Sequence, residues 1–228
     1  MMGALADTVH RHGWVNSIFY LAALLVARLS RGRSRIIRYY FVAQPVPPPA
    51  KPRAGGKITI RQVQPGDAIV AQFPRPRRVV ARRFANGAIC LVAQDAECFA
   101  GFIWLQFGPY DEDEVSCRYA TLPAERTAWD FDVYVAPAYR KGRLFMRLWD
   151  AANALLRERG VDWTLSRISA FNVESLRSHS HFGGRRIRTA TFVRGGRVQV
   201  MFTNGAPWLH VSLGPKSQPR LDLRAPEA

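Results

Sequence analysis

The chain has 228 residues, 48% of them hydrophobic and 22% charged, which suits one ordinary domain with extensions. That excludes two full enzymatic domains and a globally disordered chain. Lys+Arg 33 against Asp+Glu 17 leaves a formal charge of +16, and all but four of the cations are arginine. Such a surplus predicts an anionic partner: a phosphorylated cofactor, an acidic carrier protein, acidic lipid headgroups or nucleic acid. Cys90, Cys98 and Cys117 form no CxxC pair. Neither a disulfide framework nor a cysteine-rich zinc site is expected, and a reducing compartment fits.

Residues 14–27 carry no charge and lead directly into Arg28, Arg31, Arg33 and Arg35. A helix over them reaches about 21 Å, short of the roughly 30 Å hydrocarbon core. The positive charge follows the apolar run instead of preceding it, unlike a cleaved signal peptide. Trp14, Ile18, Leu21, Leu25 and Leu29 recur near helical spacing. Residues 1–43 therefore read as an apolar and basic helical segment. Either residues 14–35 rest on an acidic membrane face, or the helix packs on the domain or on a second copy of the chain. Residues 44–56 (QPVPPPAKPRAGG) read as a semi-rigid linker, 57–204 as the folded domain, and 205–228 as a loosely held tail.

Within the domain, residues 58–63 alternate like a half-buried strand and stop at Pro65, Gly66 and Asp67. Residues 88–94 and 99–107 predict an adjacent antiparallel pair, with further strands at 129–135 and 162–168. Residues 189–193 and 197–203 predict a hairpin around Gly195 and Gly196. Between the strands at 129–135 and 162–168, a helix presents Leu144, Phe145, Leu148, Trp149, Ala152, Leu155 and Leu156 on one face and ends at Gly160. A strand, a long helix and a strand imply a crossover between parallel strands, hence an α+β domain with a mixed sheet.

Ligands of open sheets bind beyond the carboxyl end of a strand, where a helix begins. Here that junction reads VAPAYRKGR, residues 135–143, with three cations within four residues. Helix-opening amides and the positive dipole end make it a candidate anion site, against the alternative of a solvated basic turn. At the second junction, Asn172 reads as the N-cap of a short helix and as a group facing the cleft.

The order of these parts resembles the GNAT superfamily of acyl-CoA-dependent N-acyltransferases. The similarity spans residues 57–203 and rests on "ITIRQVQPGDA", "VYVAPAYRKGRLFMRL" and "NVESLRSHSHFGG". It implies a mostly antiparallel mixed sheet flanked by helices, with splayed central parallel strands. It also implies an acyl-CoA donor, acetyl-CoA by default, and direct transfer to an amine with no covalent enzyme intermediate and no metal. Pantetheine is then expected along Val133, Tyr134 and Val135, and pyrophosphate at Arg140, Lys141, Gly142, Arg143 and Leu144. Asn172 and Ser175 add contacts from the following helix. Two positions depart from the family pattern. Arg143 and Phe145 stand where its loop usually has small residues, and His179 stands where it often has a tyrosine acting as general acid.

An ammonium acceptor must lose a proton before attack, so a carboxylate is expected nearby. Asp130 and Asp132 alternate with Phe131, Val133 and Val135, which predicts both on one sheet face. Asp132 is the first candidate base and an ion pair with an arginine the alternative. Glu114, in the acidic run 111–114, is a further candidate. The expected function is a cytoplasmic N-acyltransferase, peripheral on the inner membrane face if residues 14–35 bind lipid. The alternatives are a GNAT-like module without catalysis at a membrane or protein partner, and an enzyme taking its donor from an acidic carrier protein. No zinc spacing or aromatic-plus-basic motif supports nucleic-acid binding. The acceptor and the oligomeric state are not legible, and a homo-oligomer stays open.

Overall fold

The computed structural model describes residues 9, 10, 12–49, 57–214 and 217–227. In chain order its elements are α1 (Trp14–Leu29), β1 (Ser34–Pro45), β2 (Ile58–Val63), α2 (Arg77–Ala85), β3 (Ile89–Asp95), β4 (Cys98–Gln106), β5 (Tyr110–Asp111) and β6 (Arg118–Leu122). They continue with β7 (Thr127–Val135), α3 (Leu144–Glu158), β8 (Trp163–Ser169), α4 (Val173–His181), β9 (Arg185–Gly195), β10 (Val198–Thr203), β11 (Leu209–Ser212) and β12 (Arg220–Arg224). The class is α+β with mostly antiparallel sheet. Two compact units share these elements: Val46–Gly108 with Pro123–Thr164, and Met1–Pro45 with Pro109–Leu122 and Leu165–Ala228.

In the unit containing α3, strands β2, β3, β4 and β7 pair antiparallel in that order. One sheet face meets α2 and a single-turn 3-10 helix, Ala68–Gln72, in a cluster built on Val63, Phe73, Val80, Val92, Phe102 and Trp104. The other face is covered by α3, whose buried Leu144, Leu148, Trp149, Ala152 and Leu156 follow a helical stripe. Gly101 is required where β4 meets β7. A Cβ there would lie 2.6 Å from the Tyr134 carbonyl oxygen and 3.3 Å from Leu148 Cδ1.

In the other unit the strand order is β11, β10, β9, β1, β8. Antiparallel pairing of β1 with β9 runs from Ser34↔Gly195 to Ala43↔Arg185. Residues 39–44 are buried throughout, as expected of an internal strand covered on both faces. A smaller sheet of β12, β6 and β5 has β12 parallel to β6. Helix α1 lies on β1, where the Tyr40 hydroxyl donates to Asn16 Oδ1 at 2.8 Å and the Arg38 guanidinium sits 4.3 Å from the Phe19 ring centre.

Several boundaries differ from the sequence reading. Residues 34–43, assigned above to the helical segment, form most of β1. The arginines before them look like a helix flank, while IIRYYFVA, apolar but for Arg38, has no alternation to mark it as a strand. Gln44 and Pro45 close β1 instead of opening a linker, and residues 50–56 of that linker lie outside the described residues. The stretch after residue 204 is not a loose tail among the described residues, since β11 pairs with β10 and β12 with β6. Helix α2 was not anticipated, because RRVVARRFA buries only Val80 and has no apolar stripe to betray it.

Candidate functional site

Strand β7 ends at Val135, and the Ala136 amide is tied to the Ala100 carbonyl at 2.8 Å. One 3-10 turn follows, Pro137–Tyr139, and the Gly142 amide returns to the Tyr139 carbonyl at 3.2 Å. Arg140 folds back, donating from Nε to the Val135 carbonyl at 3.1 Å. The first bond of α3 is Arg147 N–H to Arg143 C=O at 3.1 Å, and no side chain caps the helix start. The amides of Leu144 and Met146 thus have no helical acceptor. Arg140, Lys141 and Arg143 are all exposed around this end. Cations beside the positive pole of a helix repel it, so the turn gains stability from an anion. The structure places all the residues expected for the donor's pantetheine and pyrophosphate, from Val133 to Leu144, on this one strand, turn and helix. The side chain of Arg143 is turned to solvent and does not fill the turn. A Cβ on Gly142 would meet only the Tyr139 carbonyl oxygen, at 3.5 Å.

The two aspartates of β7 do not share a face. Between the pairs Phe102↔Tyr134 and Trp104↔Phe131, β4 has one residue and β7 has two, a bulge in which Asp132 adopts φ +50°. The extra residue turns Asp132 toward the aromatic face. There Arg75 donates from Nε to Oδ2 at 2.8 Å and also bonds Oδ1 through Nη2, and Arg83 Nη1 bonds Oδ2 at 2.5 Å. The guanidinium of Arg75 lies over Phe102 and Tyr134, and that of Arg83 over Trp104 and Phe131. Burial opposes ionisation of Asp132, but the hydrogen bonds and charges of Arg75 and Arg83 outweigh it and hold the carboxyl below the usual range. The expectation of Asp132 as general base is corrected accordingly, because a carboxylate gripped by two arginines is a poor proton acceptor. Asp130 is only 2% exposed, and desolvation pushes its carboxyl up to about 7, against a smaller opposing effect of the Thr164 hydroxyl. Its proton affinity suits neutral pH, but its burial denies direct contact with an acceptor.

The remaining candidates belong to the other unit. Asn172 caps α4, accepting the Ser175 amide at 3.1 Å, so Asn172 and Ser175 are engaged with each other. Glu114 accepts the Tyr39 hydroxyl, and its own carbonyl accepts from Arg194. Glu114, the further candidate base, is thus held between Tyr39 and Arg194. His179 is buried, and desolvation lowers its pKa to about 4. At neutral pH it is an uncharged imidazole, which corrects the expectation that it protonates a leaving thiolate. This depression carries a stability consequence. The unfolded imidazole, with pKa near 6.5, binds a proton that the folded one refuses until about pH 4. Stability is therefore present above pH 6.5 and is lost, by about 3 kcal/mol, as pH falls through 4. His179→Gln should remove that acid dependence in urea titrations at pH 7 and 4.5. An unchanged dependence would show that His179 titrates normally.

Arg75 and Arg83 were missed in the sequence. The alternative of an arginine partner for Asp132 was legible, but nothing in FPRPRRVVARRFA singled out these two among so many. No group of three or more His, Cys, Asp or Glu able to hold a metal occurs among the described residues.

Against solved structures, the chain aligns with the tandem GNAT protein from the clavulanic acid biosynthesis pathway at a TM-score of 0.52. The identity is 15%, covering 77% of this chain and 58% of that one. The fold is GNAT-like. Other GNAT-like neighbours are the GCN5-related glucosamine N-acetyltransferase region of a fungal multi-domain GH3 beta-N-acetylglucosaminidase and a GNAT family acetyltransferase from Elizabethkingia anophelis solved with acetyl-CoA bound. The first has TM-score 0.48 and 17% identity over 74% of this chain and 22% of that one. The second has TM-score 0.42 and 11% identity over 56% of this chain and 75% of that one. The chain spans less than two thirds of the tandem protein and of the fungal one. No protein-family model matches the sequence, and no curated protein does. At these identities the GNAT likeness is one of fold.

Proposed function

We propose that the chain is an N-acyltransferase that moves an acyl group from acyl-CoA, acetyl-CoA by default, to an amine. The amine nitrogen attacks the thioester carbonyl, the N–C bond forms as the C–S bond breaks, and the thiolate leaves with a proton. The observation that supports this reading is the uncapped start of α3, where helix-opening amides and three exposed cations converge directly after β7 on a GNAT-like fold. In the proposal, the amides of Leu144 and Met146 receive the donor's pyrophosphate, and Arg140, Lys141 and Arg143 neutralise it. Val133, Tyr134 and Val135 flank the pantetheine arm. The chain's own contribution is then anchoring and orientation, which lowers the barrier by holding the thioester in place.

Calorimetric titration of the full chain with acetyl-CoA and with a longer acyl-CoA tests the reading. Binding of at least one is expected, and the triple variant Arg140→Gln, Lys141→Gln, Arg143→Gln should weaken it by about tenfold or more. Absence of binding to either thioester overturns the proposal in favour of a fold that serves as a binding module.

A further inference from the structure

Helix α1 leaves its larger apolar side chains outside. Facing β1 it carries Asn16, bonded to Tyr40, and Phe19, whose ring lies 4.3 Å from the Arg38 guanidinium. Facing solvent it carries Trp14 (75% exposed), Ile18 (64%), Leu25 (56%) and Leu29 (76%), with Leu21 and Leu24 also exposed. At 3.6 residues per turn these six fall within an arc of about 140°. Arg28 is the one charged residue of the helix, and it shares that side. An ordinary surface helix has the opposite arrangement. The exposed apolar surface continues beside the helix, where Phe19, Ile36, Val193 and Phe202 line an open groove of about 510 Å³.

Charge identifies what covers this face. Arg28, Arg31, Arg33 and Arg35 are exposed at its carboxyl end. Residues 8–66 contain no Asp or Glu, and neither do residues 175–221, so α1, β1, β9, β10 and β11 are free of acids. A second copy would set one acid-free, arginine-rimmed face against another. A lipid surface with anionic headgroups supplies both things the face lacks, an apolar layer and a plane of phosphates. With 16 residues α1 is about 24 Å long, too short to cross the core. Among the described residues no helix is long and apolar enough to span a membrane.

We propose that the outward face of α1 docks in the plane of an anionic lipid surface. Trp14, Ile18, Leu25 and Leu29 enter the boundary between headgroups and acyl chains, and the arginine rim contacts lipid phosphates. This surface is independent of the acyltransferase reading.

The full chain is floated with vesicles of phosphatidylcholine alone and of phosphatidylcholine with phosphatidylglycerol. Binding to the mixed vesicles only is expected, weakening as salt is added. Arg31→Gln with Arg33→Gln should lower the affinity about thirtyfold. Ile18→Asp with Leu25→Asp, both at exposed sites that leave the fold intact, should abolish it. Equal binding to both vesicles, or full binding by the aspartate variant, overturns the proposal. So does a wild-type dimer that the aspartate variant converts to a monomer without change in vesicle binding.

Discussion

Arg167→Met should destabilise the unit that holds it by about 3–5 kcal/mol. The Glu112 side chain is 0% exposed, and its carboxylate accepts from Arg167 Nε at 2.6 Å and Nη2 at 2.8 Å. The amides of Asp113 and Glu114 complete its shell at 2.9 and 3.1 Å. Burial works against the charge of Arg167, but Glu112 outweighs it and raises the guanidinium pKa further. Packing adds to the pair, since the guanidinium lies 4.6 Å from the Tyr39 ring centre. Methionine fills most of the space but leaves a carboxylate out of water with two amides as its remaining partners. A lower urea midpoint at unchanged m-value is the signature, and adding Glu112→Gln to Arg167→Met should recover part of the loss. A single variant within about 0.5 kcal/mol of the parent would mean that water already reaches Glu112.

Asp130→Asn should stabilise the protein above neutral pH by up to about 4 kcal/mol. Folded Asp130 keeps its proton up to about pH 7, whereas the unfolded carboxyl releases it near 3.9. The folded state therefore binds more protons between these values. Its contribution is fully present below pH 3.9 and is lost as pH rises through 7. Asparagine has no charge to bury at any pH. The stability difference between variant and parent, from urea titrations at pH 5 and pH 8, should widen toward the alkaline side. A constant difference would remove the case for a raised carboxyl pKa. His179 contributes the opposite slope between about pH 4 and 6.5, so the parent's profile there is flatter than that of either variant.

The sequence spoke most clearly where one physical rule acted alone. Residues 58–63 alternate and form β2, and the stripe from Leu144 to Leu156 forms α3, stopped by Gly160 at φ +70°. The expected hairpin pairs Val198 with Gly195. The candidate site was legible as a location but less so as chemistry. The turn from 135 to 144 sits at the end of a strand as its composition implied. Strict alternation failed at Asp132, because one residue inserted into β7 reverses the direction of a side chain and no residue type announces it. The burial of His179 depends on what packs against a short helix, which its own nine residues cannot encode. For β1, both faces are covered, so the period that would identify a strand is absent.

The place of β1 has a consequence for how the protein is made. Arg38 bonds Thr191 across 153 residues of chain, and the whole of β1 lies between β8 and β9. During translation at about 5–20 residues per second, this early segment waits roughly ten seconds or longer for its neighbours to emerge. Until then Tyr39, Phe41 and Val42 are a nascent sticky stretch with both hydrogen-bonding edges open. Completion of that sheet thus waits on long-range pairing and is slow because of its high contact order. Holding chaperones would act on the β1 segment, and a ribosome stalled before β9 would leave that strand without its β9 partner.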